Sequence, residues 1–148
     1  MSASGVLLLV LGILAFVALT LVLVMIPLRG RARRVEAELT RELGDAVRRS
    51  ETAGGLGLES RGRAQVRGTG TLILTTDELW FRMWVPRREV RIPLAHITEV
   101  ETQRSWLGKT GGQRLLCVRW RTEDGTADAM AWQVRDLDAW LADLGPAR

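Results

Sequence analysis

Hydrophobic positions change rhythm twice along the chain. From Val6 to Leu28 they run on without a charged side chain. From Val35 to Val47 an apolar residue returns at every fourth position, and beyond residue 57 apolar and polar residues alternate. At about 1.5 Å per residue the first run makes a helix about 35 Å long, enough to cross a hydrocarbon core of ~30 Å. Arg29, Arg31, Arg33 and Arg34 follow it at once, whereas Met1 to Gly5 carries no charge. Flanking Lys and Arg favour the cytoplasmic side. Residues 1–28 are therefore expected to form a single-pass anchor in the cell (inner) membrane, with the N-terminus outside and the rest cytoplasmic. A cleaved signal peptide fits worse: the start lacks Lys and Arg, the apolar core is too long, and Met25 to Leu28 offers no small-x-small site. Thr20, the only polar side chain in the run, can bond a carbonyl one turn back, so it implies no ion path.

The fourfold spacing of Val35, Leu39, Leu43 and Val47 predicts a helix over 31–51 with a narrow apolar stripe. Arg34 with Glu38, and Asp45 with Arg49, add opposite charges at i,i+4. Three roles stay open for it: a spacer or continuation of the membrane helix, a helix lying on head groups, or one paired with a copy of itself. Thr52 to Gly57 then reads as a flexible Gly-rich joint. Residues 29–56 are thus expected to be a basic juxtamembrane helix and linker.

Residues 57–148 read as one β domain. Alternation and turn signals predict strands at 58–67, 70–76, 79–85, 88–93, 97–103, 113–121 and 126–134. Leu79, Phe81 and Met83 share one face, with Trp80, Arg82 and Trp84 on the other. Leu116, Val118 and Trp120 likewise oppose Leu115, Cys117 and Arg119. Seven short strands joined by hairpin-sized turns predict an antiparallel barrel or sandwich. Asp136 is placed to cap a helix over Leu137 to Leu144, which Gly145 ends and Pro146 cannot continue. Leu137, Trp140, Leu141 and Leu144 lie on one side of it, suited to plugging an open barrel end.

Composition narrows the chemistry. The 148 residues carry a net charge of +4, and every basic residue except Lys109 is Arg. That bias reads as the codon usage of a GC-rich, hence bacterial, genome. Acids are interleaved with bases, and the one dense basic cluster abuts the membrane run, so anionic head groups account for it without nucleic acid. Cys117 is the sole cysteine and His96 the sole histidine. One of each makes neither a disulfide nor a metal cluster, and Cys117 sits in an apolar strand pattern. No P-loop, G-x-S-x-G or H-E-x-x-H occurs. No enzyme, cofactor, metal or small-molecule substrate is expected.

Seven strands closed by a C-terminal helix is the plan of the pleckstrin-homology (PH) superfold. Gly70 to Phe81 (GTLILTTDELWF) resembles the second hairpin of bacterial PH-like and GRAM-like domains, where G-x-L-x-L-T-x-x-x-L-x-F recurs. Ile92 to Val100 (IPLAHITEV) resembles the I-P-L-x-x-I-x-x-V that follows it, and Val134 to Asp136 leading into Trp140 resembles the final strand and helix. The resemblance spans roughly 57–145 and implies a binding module rather than an activity. Arg61, Arg63 and Arg67 precede Gly68, but no basic residue opens the next strand, so the phosphoinositide motif of eukaryotic PH domains is not met.

The expected function is a non-catalytic binding or scaffolding module, holding a protein partner or a copy of itself at the cytoplasmic face. The alternative is a module that senses anionic lipid head groups. The candidate lipid- or partner-binding residues form two groups. Arg104, Trp106, Leu107, Lys109 and Arg114 surround one loop, whose Trp106 either dips into the interface or folds back onto the barrel wall. Trp84, Arg87 and Arg88 form a second patch at a turn.

Overall fold

A computed structural model describes residues 10–20, 34, 37–38 and 41–145. The chain divides into two units, Met1–Leu39 and Thr40–Arg148. In the first, residues 10–20 form helix α1, apolar and exposed all round. Thr20 Oγ1 donates to the Phe16 carbonyl 2.7 Å away, as expected for a hydroxyl within an apolar helix. Among the described residues no helix is long and apolar enough to cross a membrane. The expected span Val6 to Leu28 lies within them only over 10–20; its remainder, with Arg29, Arg31 and Arg33, lies outside.

The second unit holds β1 (Val47–Leu58), β2 (Gly68–Thr75), β3 (Glu78–Met83), β4 (Arg88–Pro93), β5 (Ile97–Trp106), β6 (Lys109–Arg121), β7 (Ala127–Gln133) and α2 (Leu137–Leu144). All pairs are antiparallel, in one open sheet ordered β4-β3-β2-β1-β7-β6-β5. One buried cluster draws on both wings: Leu72, Leu79, Phe81 and Ile92 from one, Leu116, Val118, Met130 and Trp132 from the other. A flat sheet could not bring β4 and β6 together, so the sheet coils until its inner faces meet. Phe81 of β3 meets Trp132 of β7 edge-on, centroids 5.9 Å apart. Helix α2 adds Trp140 to this core, and Asp136 caps it by accepting from the Ala139 amide at 3.1 Å.

The sequence-predicted start of the domain needs correction. The helix expected over 31–51 stops short: a 3-10 turn at Gly44–Ala46 leads directly into β1. The segment 52–57 is no joint but the inner half of β1. Its glycines mark close approach: a Cβ on Gly55 would sit 2.7 Å from the Phe81 ring and 2.8 Å from Met130. The expected strand 58–67 is instead a 3-10 turn (Glu59–Arg61) and an irregular return. The strand count of seven nevertheless holds, because β1 replaces it. β1 escapes the apolar pattern because two of its half-buried positions are charged. Arg49 pairs with Asp143 of α2 at 2.5 Å. Glu51 accepts from the Trp140 indole at 2.9 Å and from the Arg135 amide.

Candidate binding surfaces

The β5–β6 hairpin carries the first candidate group. Its two strands are in register from Val100↔Val118 to Gln103↔Leu115, then the pairing jumps to Ser105↔Thr110. The extra residues on β6, around Gly112 at φ 73°, form a wide bulge, and bulges bend the strand that carries them. Leu107 and Gly108, at φ 49° and 75°, make the tight turn at the tip. The tip packs on a second small core, Leu56, Leu115, Cys117, Ala129 and Ala131, on the far side of β6 from Leu116 and Val118.

Trp106 is thereby only 4% exposed. Its Nε1 donates to the Gly57 carbonyl at 2.8 Å, and the Arg119 guanidinium lies 5.8 Å from its ring. Of the two alternatives for Trp106, the fold takes the one against the wall. Leu107 is half-buried against the same cluster. Lys109 Nζ donates to the Gln65 carbonyl at 2.5 Å and the Leu56 carbonyl at 3.4 Å, which fastens the tip to the 59–67 return. Arg67 adds a bond to the Thr110 carbonyl at 3.0 Å. Arg104 and Arg114 are exposed and line one shallow hollow with Thr110, Gly112 and Gln113. Arg114 also donates to the Thr102 hydroxyl.

At the β3–β4 turn, Arg87 and Arg88 are exposed. Trp84 is half-buried and donates to Thr71 Oγ1 at 3.1 Å. Trp80 lies on the same outward side, yet it is 1% exposed because guanidinium groups cover it: Arg82 at 4.7 Å and Arg91 at 4.0 Å from its ring. Glu89 bonds both arginines, Arg82 at 3.2 Å and Arg91 at 2.6 Å. Burial works to raise the Glu89 pKa, but the Arg91 hydrogen bond and the two positive charges outweigh it and hold it below the usual range. Arg34, the one topology-setting arginine among the described residues, is helical and exposed.

The sequence does not reveal a cleft of about 220 Å³ beside β4. Leu58, Phe81, Met83, Val90 and Met130 make its floor; Arg61, Gln65, Val66, Arg88 and Glu89 stand around it. It exists because β1 stops at Leu58. The Gln65 side chain closes that strand end, taking the Leu58 amide at 3.0 Å and donating to the Leu58 carbonyl at 2.6 Å. Of the residues expected to bind, only Arg88 lines this cleft. Val66 beside it and Val85 at the β3–β4 turn are 68% and 64% exposed. The signal that could have found the site is the apolar end of β3 (Phe81, Met83) facing a segment with three arginines.

Cys117 is fully buried, and burial together with the nearby Glu101 carboxylate pushes its thiol up to about 12. Such a thiol stays protonated at neutral pH and makes a poor nucleophile. Among the described residues no group of three or more His, Cys, Asp or Glu is arranged to hold a metal.

No family model matches the chain, and no curated protein matches it. Among solved structures, the chain is similar to the C-terminal domain of an unknown protein from Leishmania infantum, at 13% identity and a TM-score of 0.49. That likeness covers 74% of this chain and 94% of the other.

Proposed function

We propose that this protein is a membrane-tethered, non-catalytic binding module that presents a PH-like domain at the cytoplasmic face. The observation that carries the reading is the cleft. Its floor is apolar, its rim is charged, and the strands around it are fixed by the core. Concave apolar sites with a few placed polar groups are where ligands and partner side chains bind. The uncharged run Val6 to Leu28 and the adjacent arginines support the tether and its direction. The strand order and the closing helix support the PH-like plan.

One observation favours a second reading, recognition of anionic lipid. Val66 and Val85 are exposed near Arg67 and Arg87, an apolar tip beside a base in each case.

Fractionation of cells making the full chain tests the tether. The protein should resist an alkaline carbonate wash, and a chain lacking residues 1–28 should move to the aqueous fraction. For sidedness, Cys117 is too buried to report, so an exposed reporter such as Glu123→Cys in a Cys117→Ala background is needed. An impermeant thiol reagent should label it only after lysis; labelling in intact cells overturns the orientation. Salt-sensitive sedimentation of the full chain, in micelles, with anionic but not neutral vesicles would favour the lipid reading.

A further inference from the structure

We infer that the cleft receives an extended, acidic segment of a partner protein, laid along β4 with one aromatic or large aliphatic side chain in the pocket. The inference rests on the binding-module reading and names the chemistry of its partner.

Size sets the first limit. A cavity of about 150 Å³ admits a benzene ring, and sites for drug-sized molecules begin at about 300 Å³. At about 220 Å³ the cleft holds one ring or branched side chain. Its floor of Phe81, Met83, Val90 and Met130 is apolar, and the two methionines can adjust to the shape of what enters.

Charge sets the second. Three acidic contacts near β4 are already taken: Glu89 neutralises Arg82 and Arg91, and Glu42 approaches Arg82 at 3.9 Å. Arg61, from the return after β1, and Arg88 of β4 both line the opening and have no ion pair among the described residues. Carboxylates flanking an apolar anchor would meet both.

The free edge sets the third. Among the described residues β4 pairs only with β3, so its other side presents unused amides and carbonyls. An extended chain can add there by main-chain bonds while alternate side chains reach into pockets. Pro93 cannot donate, so such a segment aligns with Arg88 to Ile92, the part of the edge beside the cleft.

The test uses the full chain in detergent micelles and short fluorescent peptides read by polarisation. One peptide alternates glutamate and serine around a central tryptophan; a second replaces the glutamates by lysines; a third replaces the tryptophan by alanine. The first should bind and weaken as salt rises. The second should not bind, and the third should bind at least about tenfold more weakly. Arg61→Glu with Arg88→Glu, both at exposed positions, should cut binding of the first by at least about tenfold without altering the far-UV spectrum. Val90→Trp, which fills the cleft from within, should do the same. If that variant fails to fold, the arginine pair decides.

Equal binding of the acidic and basic peptides, indifference to the arginine reversals, or no binding of any peptide overturns the inference. So does binding to anionic vesicles that the reversals abolish while peptides do nothing, which assigns the cleft to lipid. Failure with peptides leaves carbonate-resistant tethering intact, and failure of tethering leaves the peptide result intact, so the two readings fall separately.

Discussion

Two basic surfaces of the same domain are built in opposite ways. At the β5–β6 tip, Lys109 is tied to backbone carbonyls and Trp106 is buried under Arg119. At the cleft, Arg61 and Arg88 stand exposed around an apolar floor, without an ion pair among the described residues. Both surfaces combine bases with large apolar residues. The difference lies in what the backbone offers them. The tip bends back at its bulge and finds the carbonyls of Leu56, Gly57 and Gln65, whereas the cleft lies where β1 stops and leaves a gap. Bases beside large apolar residues are a candidate binding surface only where the fold has not already used them.

The largest expected effect breaks the tip. Trp106→Ala removes the lid of the second core and should cost about 3–5 kcal/mol. Arg88→Glu should change stability by no more than about 0.5 kcal/mol. Urea denaturation of the two variants checks the contrast; comparable shifts would mean that the tip is not structural. Next comes Gly55→Val, which forces a side chain against Phe81 and Met130 beneath the cleft and should cost about 1–3 kcal/mol by overpacking. Retained stability would mean that β1 does not approach the core this closely. Lys109→Ala deprives two carbonyls of their donor and should cost about 1 kcal/mol, measured the same way.

Much of the fold is legible in the sequence, and the reason is physical. Strands β2 to β7 keep the alternation of their side chains, and Leu116, Val118 and Trp120 fall opposite Leu115, Cys117 and Arg119 as their spacing requires, with apolar residues buried on both sides of β6 and β7. The α2 boundaries follow from Asp136 and Gly145. β1 is not legible, because Arg49 and Glu51 are satisfied by Asp143 and Trp140, some ninety residues away. Without those partners in view, charges beside Gly54 and Gly55 look like a helix end and a hinge. The cleft is hidden by the same error, since a strand drawn through 58–67 would fill it. Of the candidate residues, Arg104 and Arg114 line one hollow, while Arg87 and Arg88 are exposed at the β3–β4 turn and Trp84 is half-buried beside Thr71. The commitment of Trp106 and Lys109 depends on the bulge at Gly112, which alternation does not encode.

Two smaller effects concern titratable side chains. Hydrogen bonds from the Thr122 and Thr126 hydroxyls and the Thr126 amide hold the Asp124 pKa near 2, below its usual 3.8. A carboxylate with a depressed folded pKa adds stability above its unfolded value and loses that contribution as pH falls through the folded one. The β6–β7 turn should therefore loosen as pH falls from about 4 to about 2, seen as a shift of the Thr126 amide resonance. Unchanged resonances over that range would refute it. Cys117, with its thiol pushed up to about 12, should resist iodoacetamide at neutral pH and react once denaturant is added. Rapid labelling of the folded chain would mean that the second core opens.

The contrast between the two basic surfaces has one direct test. Charge reversal of Arg61 and Arg88 is set against charge reversal of Arg104 and Arg114 in the full chain, with binding of the acidic tryptophan peptide as the readout. The first pair should lose binding at least about tenfold and the second pair should stay within about twofold of the parent. Binding lost only with Arg104 and Arg114 would contradict it, moving the functional surface to the hairpin tip.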